Sequence, residues 1–521
     1  MPRRLRHPGS STRRTPAARE RLVHHPMTAA FLDAGMRLLL AELEPQPPTA
    51  APSATPPVFF GALSAARVTA AATRIGPLRV TAAHLRDRWP RQDHYAEDLI
   101  RYALWAEHHN GDMVSSAPLF AARLPPGTTL EQIGERLGVM NLYPARIPVT
   151  SRVELLASAL AASRPWLREL RRFNVAFYDA AWLALLLPTL RRLGLRLRDD
   201  VSTDQLARGV HSLSEGVLLR FMSFESNEAA RATASGDFAF GFTALVRAWT
   251  EPLSGPFADA VPVDAVPEHG NPVAAIPPRT SLAEVLPHLM DPETGTRTTA
   301  AAQRRLVDDG ITLQLLRGGL AVLAEEFGLA ESATEPRFFA SISTARVVAE
   351  ARAAGHRATA AQMRDRWALH EHYIDDLVRW CVARSDLVPV ELDPPRSETV
   401  QERIARVTRE IREGWSHPDV TARFRMRLLL TTMATRSGIV DVLAEHFAVA
   451  DAAALAHGEA VIEAAGWRFR TGVSRETYAR TSLAIFQGEL SRTVATGDDG
   501  ARDGELAFTR TATALLRAAV E

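Results

Sequence analysis

Thr81 to Arg101 (TAAHLRDRWPRQDHYAEDLIR) aligns without a gap on Thr359 to Arg379 (TAAQMRDRWALHEHYIDDLVR), and 12 of the 21 positions are identical. In so biased a composition chance supplies about two or three. After a single-residue gap the match runs upstream through Phe59-Phe60 with Phe338-Phe339 and Ala66-Arg67-Val68 with Ala345-Arg346-Val347. The chain is a tandem duplication, so its fold must be one that two copies of a single unit can build. Its 521 residues are too many for one core, because domains commonly hold about 100–200 residues, and two to four packed units are expected.

The repeated unit reads as all-α. Apolar residues recur at helical spacing over Arg152 to Ala162, Trp166 to Leu193, Thr203 to Ser223 and Phe238 to Trp249, while strand-like alternation is nearly absent. Helices with the same spacing, Phe31 to Leu43 and Leu313 to Phe327, precede the two repeated blocks, and a proline-rich insert from Pro45 to Pro57 follows the first. Ser202 and Thr203 open one helix, Gly194 closes another, and Ser474 with Glu476 opens the counterpart in the second copy. Pro252 to Thr280 is rich in Pro and Gly without helical period and reads as the linker between the copies.

All 61 basic residues are arginine, and against 60 acidic ones they leave a net charge of +1. Any affinity for nucleic acid must therefore come from local patches. The one clear asymmetry is the first 26 residues, where Arg3, Arg4, Arg6, Arg13, Arg14, Arg19 and Arg21 stand against Glu20 alone. This reads as a disordered basic arm, either a solvated tail or a segment that lies along phosphates or in a minor groove. A hydrophobic fraction of 46% and a charged fraction of 23% are those of a soluble globular protein. The single cysteine, Cys381, excludes an internal disulfide and a multi-cysteine metal site. No apolar segment approaches the roughly 20 residues needed to span a bilayer, so a cytoplasmic protein without a membrane partner is expected.

In each copy a helix (Ser64 to Ile75, Ser343 to Ala354) ends at Gly76 or Gly355. A short helix then opens at Thr81 or Thr359 and runs to Trp89 or Trp367, and a further helix carries His-Tyr, two acids and Leu. This order resembles the N-terminal helix-turn-helix of the TetR family of transcriptional regulators. Ser163 to Leu170 (SRPWLREL) resembles that family's "HP.LREL" helix start, and Leu195 to Phe221 resembles its penultimate helix. Ser416-His417-Pro418 and Gly472 to Leu490 occupy the same places in the second copy. The resemblance covers most of Phe59 to Trp249 and Phe338 to Leu516. It implies two tandem units, each a helix-turn-helix headpiece followed by a helical bundle for ligand binding and dimerisation. The expected order is an arm over 1–26, a headpiece over 27–110, a regulatory domain over 111–251, a linker and lead-in over 252–304, a second headpiece over 305–388 and a second regulatory domain over 389–521.

The resemblance points to double-stranded DNA as partner, read by Thr81, Arg86, Arg88, Arg91, Gln92, His94 and Tyr95, and in the second copy by Thr359, Arg364, Arg366, His370, His372 and Tyr373. Arg and Gln pair bidentately with guanine and adenine edges, and hydroxyls hold phosphates. For a small apolar effector it points to Phe173, Phe177, Tyr178, Trp182 and His211, with Arg427, Met433 and Trp467 in the second copy. The last helix pairs, Val201 to Trp249 and Ser474 to Leu516, are expected to pack on each other within the chain as an intramolecular pseudo-dimer, with further homodimerisation left open. Trp89 and Trp367 read as core anchors.

The alternative is a helical ligand-binding or protein-interaction module without sequence-specific DNA binding. It rests on the short segment from Trp89 to His94 and on Glu97-Asp98 and Asp375-Asp376, which would repel phosphate if they faced DNA. Neither reading is an enzyme. Asp199-Asp200, Asp308-Asp309 and Asp375-Asp376 are isolated acid pairs, and no phosphate loop, nucleophile elbow or His-x-x-x-His pair is present. No cofactor or metal is expected.

Overall fold

A computed structural model describes, isolated positions apart, residues 25–43, 62–75, 78–104, 119–142, 150–224, 228–252, 310–327, 338–367, 369–383, 399–415, 418–434, 439–498 and 507–521. The basic arm, the insert from Pro45 to Pro57 and nearly all of the expected linker lie outside the described residues.

The described first half holds helices α1 (Pro26–Leu43), α2 (Ala65–Ile75), α3 (Ala82–Arg88), α4 (Gln92–Ala103), α5 (Leu130–Asn141), α6 (Thr150–Leu160), α7 (Pro165–Arg192), α8 (Thr203–Met222) and α9 (Glu228–Trp249). The second half runs in the same order, from α10 (Gly310–Phe327) through α11 (Thr344–Ala353), α12 (Ala360–Arg366), α13 (His370–Ala383), α14 (Val400–Trp415), α15 (Pro418–Thr432), α16 (Ile439–Ala464) and α17 (Arg475–Thr496) to α18 (Ala507–Ala519). Each half closes with one small extended pairing. β1 (Leu195–Leu197) runs antiparallel to β2 (Thr250–Pro252), and Phe469 bridges Val520. Strand structure at Leu195 was not expected, because three residues are too few to show alternation.

Several helix starts follow from local chemistry. Ser202 caps α8 in a reciprocal capping box with Gln205, and Ser474 caps α17 by accepting from the Thr477 amide. Thr129 and Gln132 form the same box before α5, and Thr399 and Glu402 exchange the equivalent bonds before α14. Pro165 stands at the first turn of α7, where its missing N–H costs nothing. Pro418 opens α15, the counterpart of α6, and so does not stand at the place of Pro165 as expected, while Ser416 and His417 lie outside the described residues. The last helix of the first half begins at Glu228, well before the expected Phe238, since its first turns are built from alanines that carry little periodic signal.

Helix α7 is long and apolar enough, by length and composition, to cross a membrane, contrary to the expectation that no segment is. It packs against α6 and α8, and Arg171, Asn174 and Asp179 along it are engaged in polar contacts with α6, α8 and α17. That is the pattern of a core helix.

The two halves meet through their last helices. α8 packs along α17, α9 lies against both α17 and α18, and α6 faces α15. The approach of α8 and α17 is as close as helices allow. A Cβ on Gly216 would fall 1.7 Å from the Ala484 carbonyl oxygen, and one on Gly488 would fall 1.9 Å from that of Ser212. One chain separation carries Ser212 to Ala484 and Gly216 to Gly488, so the contact repeats itself with the halves exchanged. The same separation carries Asp179 to Asp451 and Arg220 to Arg492. Arg492 grips Asp179 with bonds of 3.0 and 2.7 Å, and Arg220 grips Asp451 in the same bidentate way. Both pairs cross between the halves, which is the signature of a two-fold interface in which each copy presents the same patch.

Candidate nucleic-acid interface

In the first copy α2 is followed by α3, and in the second α11 is followed, after 354–359, by α12. From sequence the turn was expected after Trp89, where it looked too short. Trp89 to Arg91 is only the junction from α3 into α4, and α4 is a core helix with Tyr95, Ala96, Asp98, Leu99 and Ile100 buried. Thr81 caps α3 by accepting the His84 amide at 3.2 Å, and Thr359 does the same for Gln362 before α12 at 3.2 Å.

Several residues expected at DNA lie inside the headpiece. Arg88 is buried, donates from Nε to the Thr28 hydroxyl at 2.9 Å and from Nη1 to the His84 carbonyl at 2.9 Å, and Arg366 repeats this with Thr312 and the Gln362 carbonyl. Tyr95 donates to the Phe31 carbonyl at 2.6 Å and Tyr373 to the Leu315 carbonyl at 2.7 Å. Gly35 and Gly319 make room for these hydroxyls, since a Cβ would fall 2.3 and 2.1 Å from them. Trp89 and Trp367 donate their indole N–H to Asp98 at 2.8 Å and Asp376 at 2.7 Å. One acid of each pair thus holds the tryptophan. Glu97 pairs with Arg101 on its own helix. Neither Glu97 nor Asp98 needs to face a phosphate.

The outer surface of α3 carries Thr81 and Arg86, and Arg91, paired with Asp93, is exposed at the start of α4. Gln92 is half-buried and donates to the Leu63 carbonyl, and His94 is half-buried. In the second copy Arg364 and His370 are exposed, and Thr359 and His372 half-buried. The sequence reading named Arg86 and Arg364 but missed the arginines that accompany them. Arg67, Arg74, Arg79 and Arg86 are exposed on α2, the turn and α3, and Arg346, Arg352, Arg357 and Arg364 are exposed at the corresponding places in the second copy. Their recurrence in register was visible in the alignment and could have singled them out. Four exposed guanidiniums per headpiece, Arg346 among them paired with Glu325, are local positive charges that the net charge does not reveal.

Behind the first headpiece, α6, α7 and α8 enclose a polar cluster. Glu154 accepts from Tyr178 at 3.3 Å and Asn174 at 3.4 Å and pairs with Arg171 at 3.2 Å, while Arg171 also donates to Glu215 at 3.2 Å. His211 stands 2.7 Å from Asp179, which Arg492 holds from the second half. Burial raises the Glu154 carboxyl above its ordinary range, with Arg171 opposing. For Asp179 burial pulls upward, but the His211 hydrogen bond and the Arg492 guanidinium outweigh it and hold the carboxyl far down. Asn174 also donates to the Leu104 carbonyl at the end of α4 at 2.9 Å, joining the cluster to the headpiece.

Of the expected effector residues, Tyr178 and His211 belong to this cluster and Trp182 stacks on Phe238. Phe177 meets Tyr178 edge-on, and Phe173 points outward with 46% of its surface exposed. In the second half Arg427 and Met433 are buried and Trp467 packs at the core edge.

No protein family, no curated protein and no solved structure matches the chain.

Proposed function

We propose that the chain is a DNA-binding transcriptional regulator, a repressor, built from two TetR-like units that pair within one molecule. The carrying observation is the conjunction of two repeats: a two-fold pairing of the halves through α8 and α17, and four exposed arginines recurring in register on both headpieces. A paired arrangement of two equivalent reading elements suits a near-palindromic site, in which half-site spacing mirrors protein symmetry. A small effector bound among the middle helices would bias the pose of the headpieces, and the link from Asn174 to the end of α4 is a contact through which such a bias could pass.

The test is selection of bound fragments from random duplex DNA, followed by gel shift over a range of salt. The expected outcome is a near-palindromic motif whose affinity falls steeply with salt. Failure to enrich any motif at low salt would overturn the reading.

A second reading, a protein-interaction module on the same scaffold, is favoured by the brevity of α3 and α12, seven residues each, and by Asp87 and Asp365 on them. Selection without enrichment, on a folded chain, would favour it.

A further inference from the structure

Arg427 on α15 is only 6% exposed, and burial pulls its guanidinium down to about 9. No carboxylate among the described residues pairs with it. Its Nη1 stands 3.0 Å from His446 Nε2, its Nε has no hydrogen-bond partner, and its face lies 4.6 Å from the Phe424 ring centroid. His446 cannot supply the missing charge. Burial and Arg427 hold its imidazole down to about 3, so it is neutral and accepts the hydrogen bond. Two further arginines of this region are also buried or half-buried against neutral partners. Arg152, reaching across from the first half, is buried against the Thr431 and Thr432 carbonyls, and Arg425 donates to the Phe327 carbonyl, both with neutral partners.

A buried guanidinium facing only neutral groups is strongly destabilising, and buried charges are ordinarily paired or bind a ligand. The feature is private to the second copy. The separation that carries Asp179 to Asp451 places Leu155 and Asn174 at the positions of Arg427 and His446. The copies, alike in their helices and interface, therefore differ in their interiors: Glu154, Glu215 and Asp179 of the first are held by Arg171 and Arg492, whereas no carboxylate among the described residues holds Arg427 in the second.

We propose that Arg427 binds the carboxylate of a small, otherwise apolar molecule inside the second half, one per chain. Its guanidinium edge suits a carboxylate, and Phe424, over which the guanidinium lies, is the apolar group beside it. Binding does not depend on the DNA reading. Service as the effector site does rest on it.

The test is thermal unfolding and titration calorimetry of the full chain with octanoate and with benzoate, each against its neutral amide. At least one carboxylate is expected to raise the melting temperature by several degrees with one site per chain, and its amide to leave it unchanged. The variant Arg427→Met should lose that shift while melting, without ligand, no lower than the parent, because an apolar chain replaces an unbalanced charge. Carboxylates no better than amides, or a ligand-free Arg427→Met that melts well below the parent, would overturn the site. Gel shift with the bound carboxylate separates the roles. Carboxylate binding in a chain that selects no DNA motif removes the DNA reading alone, whereas binding that leaves a real DNA complex unchanged removes only the effector role.

Discussion

The arginines of this protein divide into a buried set that builds and an exposed set at the surface, and neighbours in the chain can belong to opposite sets. Arg86 and Arg88 sit on the same turn of α3, yet Arg86 faces solvent and Arg88 bonds Thr28 and the His84 carbonyl in the core. Replacing Arg86 and Arg364 together with Ala is expected to leave the melting temperature within a degree or two and to flatten the salt dependence of DNA binding by about one unit of slope per lost phosphate contact. Replacing Arg88 with Ala removes the donor to the buried Thr28 hydroxyl and to the His84 carbonyl and should cost on the order of 2 kcal/mol in urea unfolding. At the interface, Asp179→Ala strands the buried Arg492 and should cost about 3 kcal/mol, with the double variant Asp179→Ala/Arg492→Ala less than additive. The imidazoles of His446 and His457, ordinarily near 6.5, are pushed to about 3 and about 4 by burial and nearby arginines. Both stay neutral in the fold while the unfolded chain takes up protons, so stability is complete above pH 6.5 and falls as the pH drops toward 4. At pH 5 the loss should approach roughly 2 kcal/mol for each, read as a lower urea midpoint than at pH 7.

Helices α8 and α17 depend on absent side chains. Gly216 and Gly488 sit where each backbone meets the other helix, and a β-branched residue there has nowhere to go. Gly216→Val is expected to lower stability by more than the 1–3 kcal/mol usual for an overpacked core, and to separate the halves in small-angle scattering as a larger radius of gyration. An unchanged radius and melting temperature would show that the helices do not approach as described. The headpiece helices use the same device in miniature, Gly35 and Gly319 giving way to the hydroxyls of Tyr95 and Tyr373. Helices α5 and α14 carry Thr-x-x-Gln and Thr-x-x-Glu signatures at their starts, a local cue that marks both once it is sought.

For the molecule as a whole, a two-fold patch that would ordinarily pair two chains is already covered within one. The chain should therefore run as a monomer of 57.0 kDa in light scattering, and segments 1–252 and 310–521 produced separately should copurify, since α8, α9, α17 and α18 bind without needing a covalent link. Halves that fail to associate, although each is soluble, would show that the interface is too weak to hold the copies alone.

By itself the sequence determined what depends on neighbours along the chain: the duplication, the helical period, the caps at Ser202 and Ser474, and the anchoring role of Trp89 and Trp367. It also held, unread, the in-register recurrence of Arg74 and Arg79 with Arg352 and Arg357. Only the tertiary structure decided which turn precedes the exposed helix, which acid receives a tryptophan N–H, and that Arg220 and Arg492 reach Asp451 and Asp179 across the two-fold. Those outcomes rest on groups far apart in sequence, whose charge and shape become complementary only after the helices have packed; no local pattern distinguishes a buried arginine from an exposed one two residues away.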